Sequence, residues 1–280
     1  MRGASGASTC YPRCPRAPVV AAAFLARAVA IYASYRLRAV MGVVSLASTL
    51  LGCLLIGRLV SAAGSGFHER FGLSYEAFAV VGVFVHGAAS SGLRAFRASV
   101  RREQLRGTFE QLLACPLHPA LLVITSALGG VLCSVVGGLV ALEGVSRFVG
   151  LSGVVSLDVA LPVLLYALSM SGLGLIAAAV VLIHKEGEPV SWALSMLTGI
   201  LGGVVFPVEL LPAWLRSAGA LLPTTHALAL VRSVLSPGSP CPGASLFSLA
   251  LMAVGLPVVG AVSLCAAFRR ARRDGSIGHY

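Results

Sequence analysis

Residues 158–183 read DVALPVLLYALSMSGLGLIAAAVVLI, and after Asp158 the run holds no charged side chain. An α-helix rises about 1.5 Å per residue, so about 20 apolar residues cross a bilayer core of about 30 Å. This run is long enough. Backbone amides in lipid must be bonded internally, which selects a helix, and the alternation of barrel strands is absent. Working outward, five further apolar segments qualify, near 39–60, 76–95, 119–142, 189–206 and 245–267. The expected fold is an all-α, polytopic membrane protein with six transmembrane helices.

Composition agrees. Of 280 residues, 57% are hydrophobic and 11% charged. A soluble domain carries about 25% charge, so this chain has too little polar surface to face water on all sides. Residues 1–18 read as a basic, flexible cytoplasmic tail, and 19–280 as one transmembrane domain. The apolar stretch after Arg13 and Arg16 is interrupted by Arg27, Arg36 and Arg38 and lacks the clean core and cleavage site of a signal peptide.

Lys and Arg set the direction of insertion. Sixteen of the 21 basic residues fall in the N-terminal tail, the link between spans two and three (Arg94, Arg97, Arg101, Arg102, Arg106), the link at Lys185, and the C-terminal tail. Arg58, Arg70, Arg147, Arg216 and Arg232 fall on the other side. Both termini are therefore expected in the cytoplasm of a cell membrane (plasma or inner). The split also accounts for the net charge of +11 without nucleic acid, since no aromatic stacking set accompanies the arginines. Residues 19–38 read as an amphipathic helix lying in the cytoplasmic interface, or else as an extension of the first span.

The link after span two is the most polar segment outside the tails. Gly107 permits a backbone break, Thr108 can cap a new helix, and Gln111 completes a capping box. Glu110 suits the positive helix start, and Pro116 and Pro119 end the helix. A short cytoplasmic helix results, competing with a plain basic loop. After span five, Phe206-Pro207, Pro212, Trp214 and Leu222-Pro223 interrupt a stretch that stays mostly apolar. Prolines so spaced break a spanning helix. Two short helices that enter the outer leaflet and return are expected, with Trp214 as an interfacial anchor; the alternative is an amphipathic loop on the surface.

Together these stretches resemble the ABC type-2 (ABC-2) permease family, in particular its daunorubicin-resistance-like exporters. The cytoplasmic signature stands here as Arg101-Arg102-Glu103-Gln104-Leu105-Arg106-Gly107-Thr108-Phe109-Glu110-Gln111-Leu112-Leu113, followed by Pro116. The late signature stands as Phe206-Pro207, Leu211-Pro212-Ala213-Trp214-Leu215, Leu222-Pro223 and a later Arg232. Leu105 departs from the family, which often has a second acidic residue there. The resemblance implies an exporter permease for a hydrophobic or amphipathic cargo (drug, lipid, glycan or polyketide). It implies a separate ABC ATPase subunit that holds ATP and Mg, and a second permease subunit, alike or different. It also implies ATPase coupling through Arg101, Arg102, Glu103, Gly107, Thr108, Glu110 and Gln111, and an external re-entrant segment shaped by Phe206, Pro207, Pro212, Trp214 and Pro223.

Other readings are weaker. Lys185 is the chain's single lysine and follows no glycine-rich loop, so no P-loop is present and no catalytic or cofactor site is expected on this chain. His86 is the main ionisable residue deep in a span, read as a packing or cavity-facing group rather than a proton path. Gly150-Leu151-Ser152-Gly153 matches a short protease motif with no placed base. Cys10 and Cys14 form a lone pair without a second half to complete a metal site. Gly199 and Gly203, and Ser134 and Gly138, suit close helix packing. An ion-coupled carrier and a non-transporting multipass scaffold are the alternatives. No polar cluster marks a binding pocket.

Overall fold

The computed structural model describes residues 36–62, 67, 72–106, 119–148, 156–184, 188–236 and 243–273. The expected interfacial helix lies outside them except for its last three residues, as do the tail, the protease-like tetrad and the connector from Gly107 to Gln111.

The described residues form helices α1 (Arg36–Ala62), α2 (Tyr75–Arg106), α3 (Pro119–Phe148), α4 (Leu157–His184) and α5 (Glu188–Leu201). A 3-10 turn at Val208–Leu210 then leads to α6 (Ala213–Gly219), α7 (Pro223–Leu235) and α8 (Gly243–Arg273). No strand occurs among them. Three helices contain segments long and apolar enough to cross a membrane: Tyr75–Phe96 of α2, Leu157–Ile183 of α4 and Gly243–Arg270 of α8. The α6–α7 pair makes a fourth if its 86° bend is counted within one span. This is fewer than the six expected, although each predicted segment coincides with a helix.

Two boundaries differ from expectation. The fifth apolar segment extends to 206, yet α5 ends at Leu201. Gly203 adopts φ +72°, a left-handed conformation that glycine tolerates and that stops the helix. Hydropathy does not register this turn, because the residues around it are all apolar. Conversely, α2 does not end where its apolar window ends but runs to Arg106. Its last three turns are polar and offer nothing to break them before Gly107.

α4 is the central helix, packed on α2 along one side and α8 along the other, with α7 lodged against all three. α3 also packs on α2, and α1 touches α2 near its start. Buried positions make up 78% of the apolar window of α2 and 72% of that of α4, but only 22% of that of α8. α2 and α4 therefore form the interior, and α8 keeps most of its surface outward. Leu59 of α1, Val140 of α3 and Phe247 of α8 are each more than two-thirds exposed, which a chain in water would not tolerate over so many positions.

The closest interior contacts use small residues, beside large buried side chains such as Phe96, Leu142 and Met170. Lipid gives apolar side chains no reason to leave it, so helices associate through close van der Waals packing. Gly92 of α2 lies against Ala167 and Ser171 of α4, and Gly174 of α4 lies against Gly92 and Leu93. Gly172 and Gly260 bring α4 against α8 at Leu256 and Pro257. Pro257 has no amide to donate, and the tight crossing is centred on it. Gly138 meets Ala88, so the Ser134–Gly138 pair serves packing inside the chain. The contacts advance together along α2 and α4 and along α4 and α8, so these three helices run parallel. Buried hydroxyls within them bond to the preceding turn, as Ser169 does to Leu165 O at 2.9 Å and Ser171 to Ala167 O at 2.7 Å.

Candidate functional site

The break after α5 creates a polar problem deep in an apolar protein, because the turn leaves carbonyl groups without helical partners. Arg232, in the last turn of α7, resolves it. Its Nη1 donates to Gly203 O at 2.9 Å, and its Nη2 donates to Val204 O at 3.1 Å and to Phe78 O at 3.2 Å. The guanidinium carbon stands 3.3 Å from the centroid of the Phe78 ring, a cation–π contact. Phe67 packs edge-on against both Phe78 and Tyr75, at 5.4 and 5.2 Å. Gly82 is required here, since a Cβ would collide with Val204 O and Arg232. Arg232 Nε is buried without a partner, and no carboxylate pairs with this arginine among the described residues. One cation thus holds the α5 break to the first turn of α2.

The turn itself is shaped by the predicted prolines. Pro207, buried, enters the 3-10 turn with φ −61° and ψ 138°. Pro212 precedes α6 with φ −51° and ψ 149°. Pro223, also buried, opens α7, where its missing N–H costs nothing. The corner between α6 and α7 is closed by side chains of the first turn of α7. Thr225 Oγ1 donates to Gly219 O at 2.7 Å, and His226 Nε2 lies 2.9 Å from Ala220 O. Arg216 Nη2 donates to Glu209 O at 2.7 Å. Trp214 is 72% exposed.

Beside this hinge lies a pocket of about 300 Å³, lined by His86 of α2, by Trp192, Ser195, Met196, Gly199 and Ile200 along α5, and by Val204, Val205 and Phe206. Its walls are apolar apart from His86 and Ser195. A Cβ placed on Gly199 would stand 3.6 Å from His86 Nε2, an ordinary contact, so this ring nitrogen faces α5 at the pocket wall. On its other edge His86 Nδ1 lies 2.6 Å from Tyr166 Oη, and Tyr166 Oη lies 2.9 Å from Thr224 Oγ1. Tyr166 and Thr224 are fully buried. His86 thus both packs against Tyr166 and faces the cavity. Of the hydrogen-bonded group of His86, Tyr166 and Thr224, the last two lie behind the pocket rather than lining it, and since its members come from three helices, local sequence cannot show that they meet.

The proposed coupling residues fall elsewhere. Arg101, Arg102 and Glu103 sit on the polar last turns of α2, with Arg101 exposed. Gly107, Thr108, Glu110 and Gln111 lie outside the described residues. About two turns closer to the interior, Arg94 folds back along α2, donating to Ser90 Oγ at 2.8 Å and Gly87 O at 3.3 Å. The external set is brought together only in part: Phe206 lines the pocket, Pro207 and Pro223 frame the hinge, and Pro212 and Trp214 face outward. Arg232, counted in the sequence as an external charge and a trailing motif residue, is the group that joins them. No cluster of three or more metal-ligating side chains occurs among the described residues.

The chain matches the family model described as ABC-2 type transporter over residues 20–236. No curated protein matches the chain. The matched region takes in α1 through α7, including both motif-bearing segments and the Arg232 hinge, and covers well over half of the sequence. The chain belongs to the ABC-2 type transporter family, as the membrane-spanning permease component of an ABC transporter.

Proposed function

We propose that this chain is the permease of an exporter that moves a hydrophobic or amphipathic cargo with ATP hydrolysed by a separate subunit, working beside a second permease subunit, alike or different. In this reading six helices span the membrane. α1 has 27 residues and α3 has 30, lengths of about 40 and 45 Å at about 1.5 Å per residue. α5, with 14 residues, spans together with the turn that follows it. The α6–α7 corner enters the outer leaflet and returns, with Trp214 at the interface. Residues 19–280 act as one domain, and both termini face the cytoplasm.

The observation that carries the proposal is the continuity of α2. One unbroken helix bears His86 at the pocket, Phe78 under the Arg232 hinge, and Arg101, Arg102 and Glu103 at its far end. A push delivered by an ATPase to the Arg101–Arg106 end of α2 reaches the pocket and the hinge through a single rigid element. Reconstitution with the partner ATPase tests this. Arg102→Ala and Glu110→Ala are expected to leave ATP hydrolysis running while cargo flux falls at least about tenfold, which corresponds to about 1.4 kcal/mol of lost coupling. Flux that follows an ion gradient without ATP, or a purified chain that never holds an ATPase, would replace this reading with a carrier or a scaffold.

A further inference from the structure

His86, Tyr166 and Thr224 form one continuous chain of hydrogen bonds from the first turn of α7, through the centre of α4, to the pocket wall on α2. Each member constrains the next. A tyrosine hydroxyl has one proton, so it can donate to His86 or to Thr224 but not to both, and a neutral imidazole carries its proton on one nitrogen only. Two arrangements are therefore possible. In one, Thr224 donates to Tyr166, Tyr166 donates to His86 Nδ1, and the ring proton sits on Nε2. In the other every bond is reversed, and Nε2 is a bare acceptor.

One observation selects the first. The 2.6 Å separation between Tyr166 Oη and His86 Nδ1 is the shorter of the two links. A phenol is a stronger acid than an aliphatic hydroxyl, so it gives its better hydrogen bond to the basic imidazole nitrogen.

We infer that this chain makes His86 a specificity-determining residue: it fixes an Nε2–H donor on the wall of an otherwise apolar pocket, which selects apolar molecules bearing an acceptor oxygen over plain hydrocarbons. The inference rests on the permease reading for its biological meaning and adds to it a chemical class of ligand. Six of the nine lining residues (Trp192, Met196, Ile200, Val204, Val205 and Phe206) supply the apolar surface. The pocket volume falls at the lower end of the range of small-molecule sites. An ester, ketone or ether oxygen can accept from Nε2–H at the pocket wall. A ligand offering only a donor would find none of the acceptor capacity it needs on this ring.

The test uses the full chain in lipid nanodiscs with Trp214→Phe, which leaves Trp192 at the pocket as the single tryptophan of the two. Quenching of its fluorescence is compared for methyl 9,10-dibromostearate and 9,10-dibromo-octadecane, which share the quenching group and differ in the ester. The ester is expected to reach half-quenching at about fivefold lower mole fraction, the effect of one neutral hydrogen bond. His86→Phe is expected to make the two probes equal. Equal quenching by both in the histidine-bearing chain would overturn the inference. Nitrogen-15 spectra of the His86 ring give an independent readout. Nδ1 is expected at the unprotonated position, moving toward the protonated one in Tyr166→Phe, and a protonated Nδ1 in the unaltered chain would equally overturn it. Neither measurement needs the ATPase, so failure here leaves the coupling experiment to stand or fall separately.

Discussion

Arg232 and Phe78 are 154 positions apart, yet the arginine both stacks on the phenylalanine ring and donates to that residue's own carbonyl. The same guanidinium takes the two carbonyls freed by the α5 break. A planar fork of donors suits this task, and a lysine ammonium does not reproduce it.

Replacing Arg232 should therefore loosen the hinge more than its partial exposure suggests. Arg232→Ala is expected to lower stability by about 2–3 kcal/mol, since it leaves buried carbonyls without donors. Arg232→Lys should recover less than half of that. Phe78→Leu, which keeps the backbone carbonyl and removes the ring, should cost about 0.5–2 kcal/mol. Thermal midpoints in detergent, read by size-exclusion profile, rank the three. A lysine variant as stable as the parent would show that charge alone suffices.

The α4–α8 crossing predicts a sharp contrast between glycines. A Cβ at Gly172 would fall inside the backbone of Leu256 and Pro257, whereas one at Gly137 meets nothing within 4 Å. Gly172→Ala should cost about 1–3 kcal/mol through overpacking. Gly137→Ala should leave the midpoint unchanged or slightly raised. Equal effects at the two sites would contradict the close crossing.

Tyr166→Phe removes the central hydroxyl while keeping the ring. Two buried partners, His86 and Thr224, lose their link. A loss of about 1–3 kcal/mol is expected, and Thr224→Val in the same background should add little, because the chain is already cut. Additive losses in this double-mutant cycle would mean that the two bonds act independently.

Orientation is checked by labelling. In a cysteine-free background, Trp214→Cys should react with a membrane-impermeant maleimide added outside intact cells, and Arg273→Cys only after permeabilisation. Both positions are exposed, so a missing signal cannot be attributed to burial within the chain. Labelling of position 273 from outside would invert the proposed topology.

Much of the helical layout was legible in the sequence. The segment at 158–183 matches α4, and that at 76–95 the apolar part of α2, almost to the residue, because a long apolar run has only one stable form in lipid. The end of α5 was not legible. Leu201-Gly202-Gly203-Val204-Val205-Phe206 is apolar throughout, and the turn depends on how tightly Gly202 packs against Thr224 and on the donors that Arg232 brings from elsewhere. The prolines announced a break, and they flank it as expected. The pocket was invisible for a related reason. His86 drew attention as a polar residue in a span, but its partners Tyr166 and Thr224 are unremarkable in their own local sequence and acquire meaning only through tertiary contact.

The glycine contact between α2 and α4 has a mechanical consequence. Gly92 lies part-way along a 32-residue rod, about 21 Å from Arg106 and about 25 Å from Tyr75 at the helical rise per residue. Pivoting α2 about that fulcrum by only five degrees or so would swing each tip by roughly 2 Å, in opposite senses. A displacement of that size is enough to part the Phe78 carbonyl from Arg232, which it meets at 3.2 Å. A modest tug on the arginine-bearing tip is thereby geared into unlatching the other.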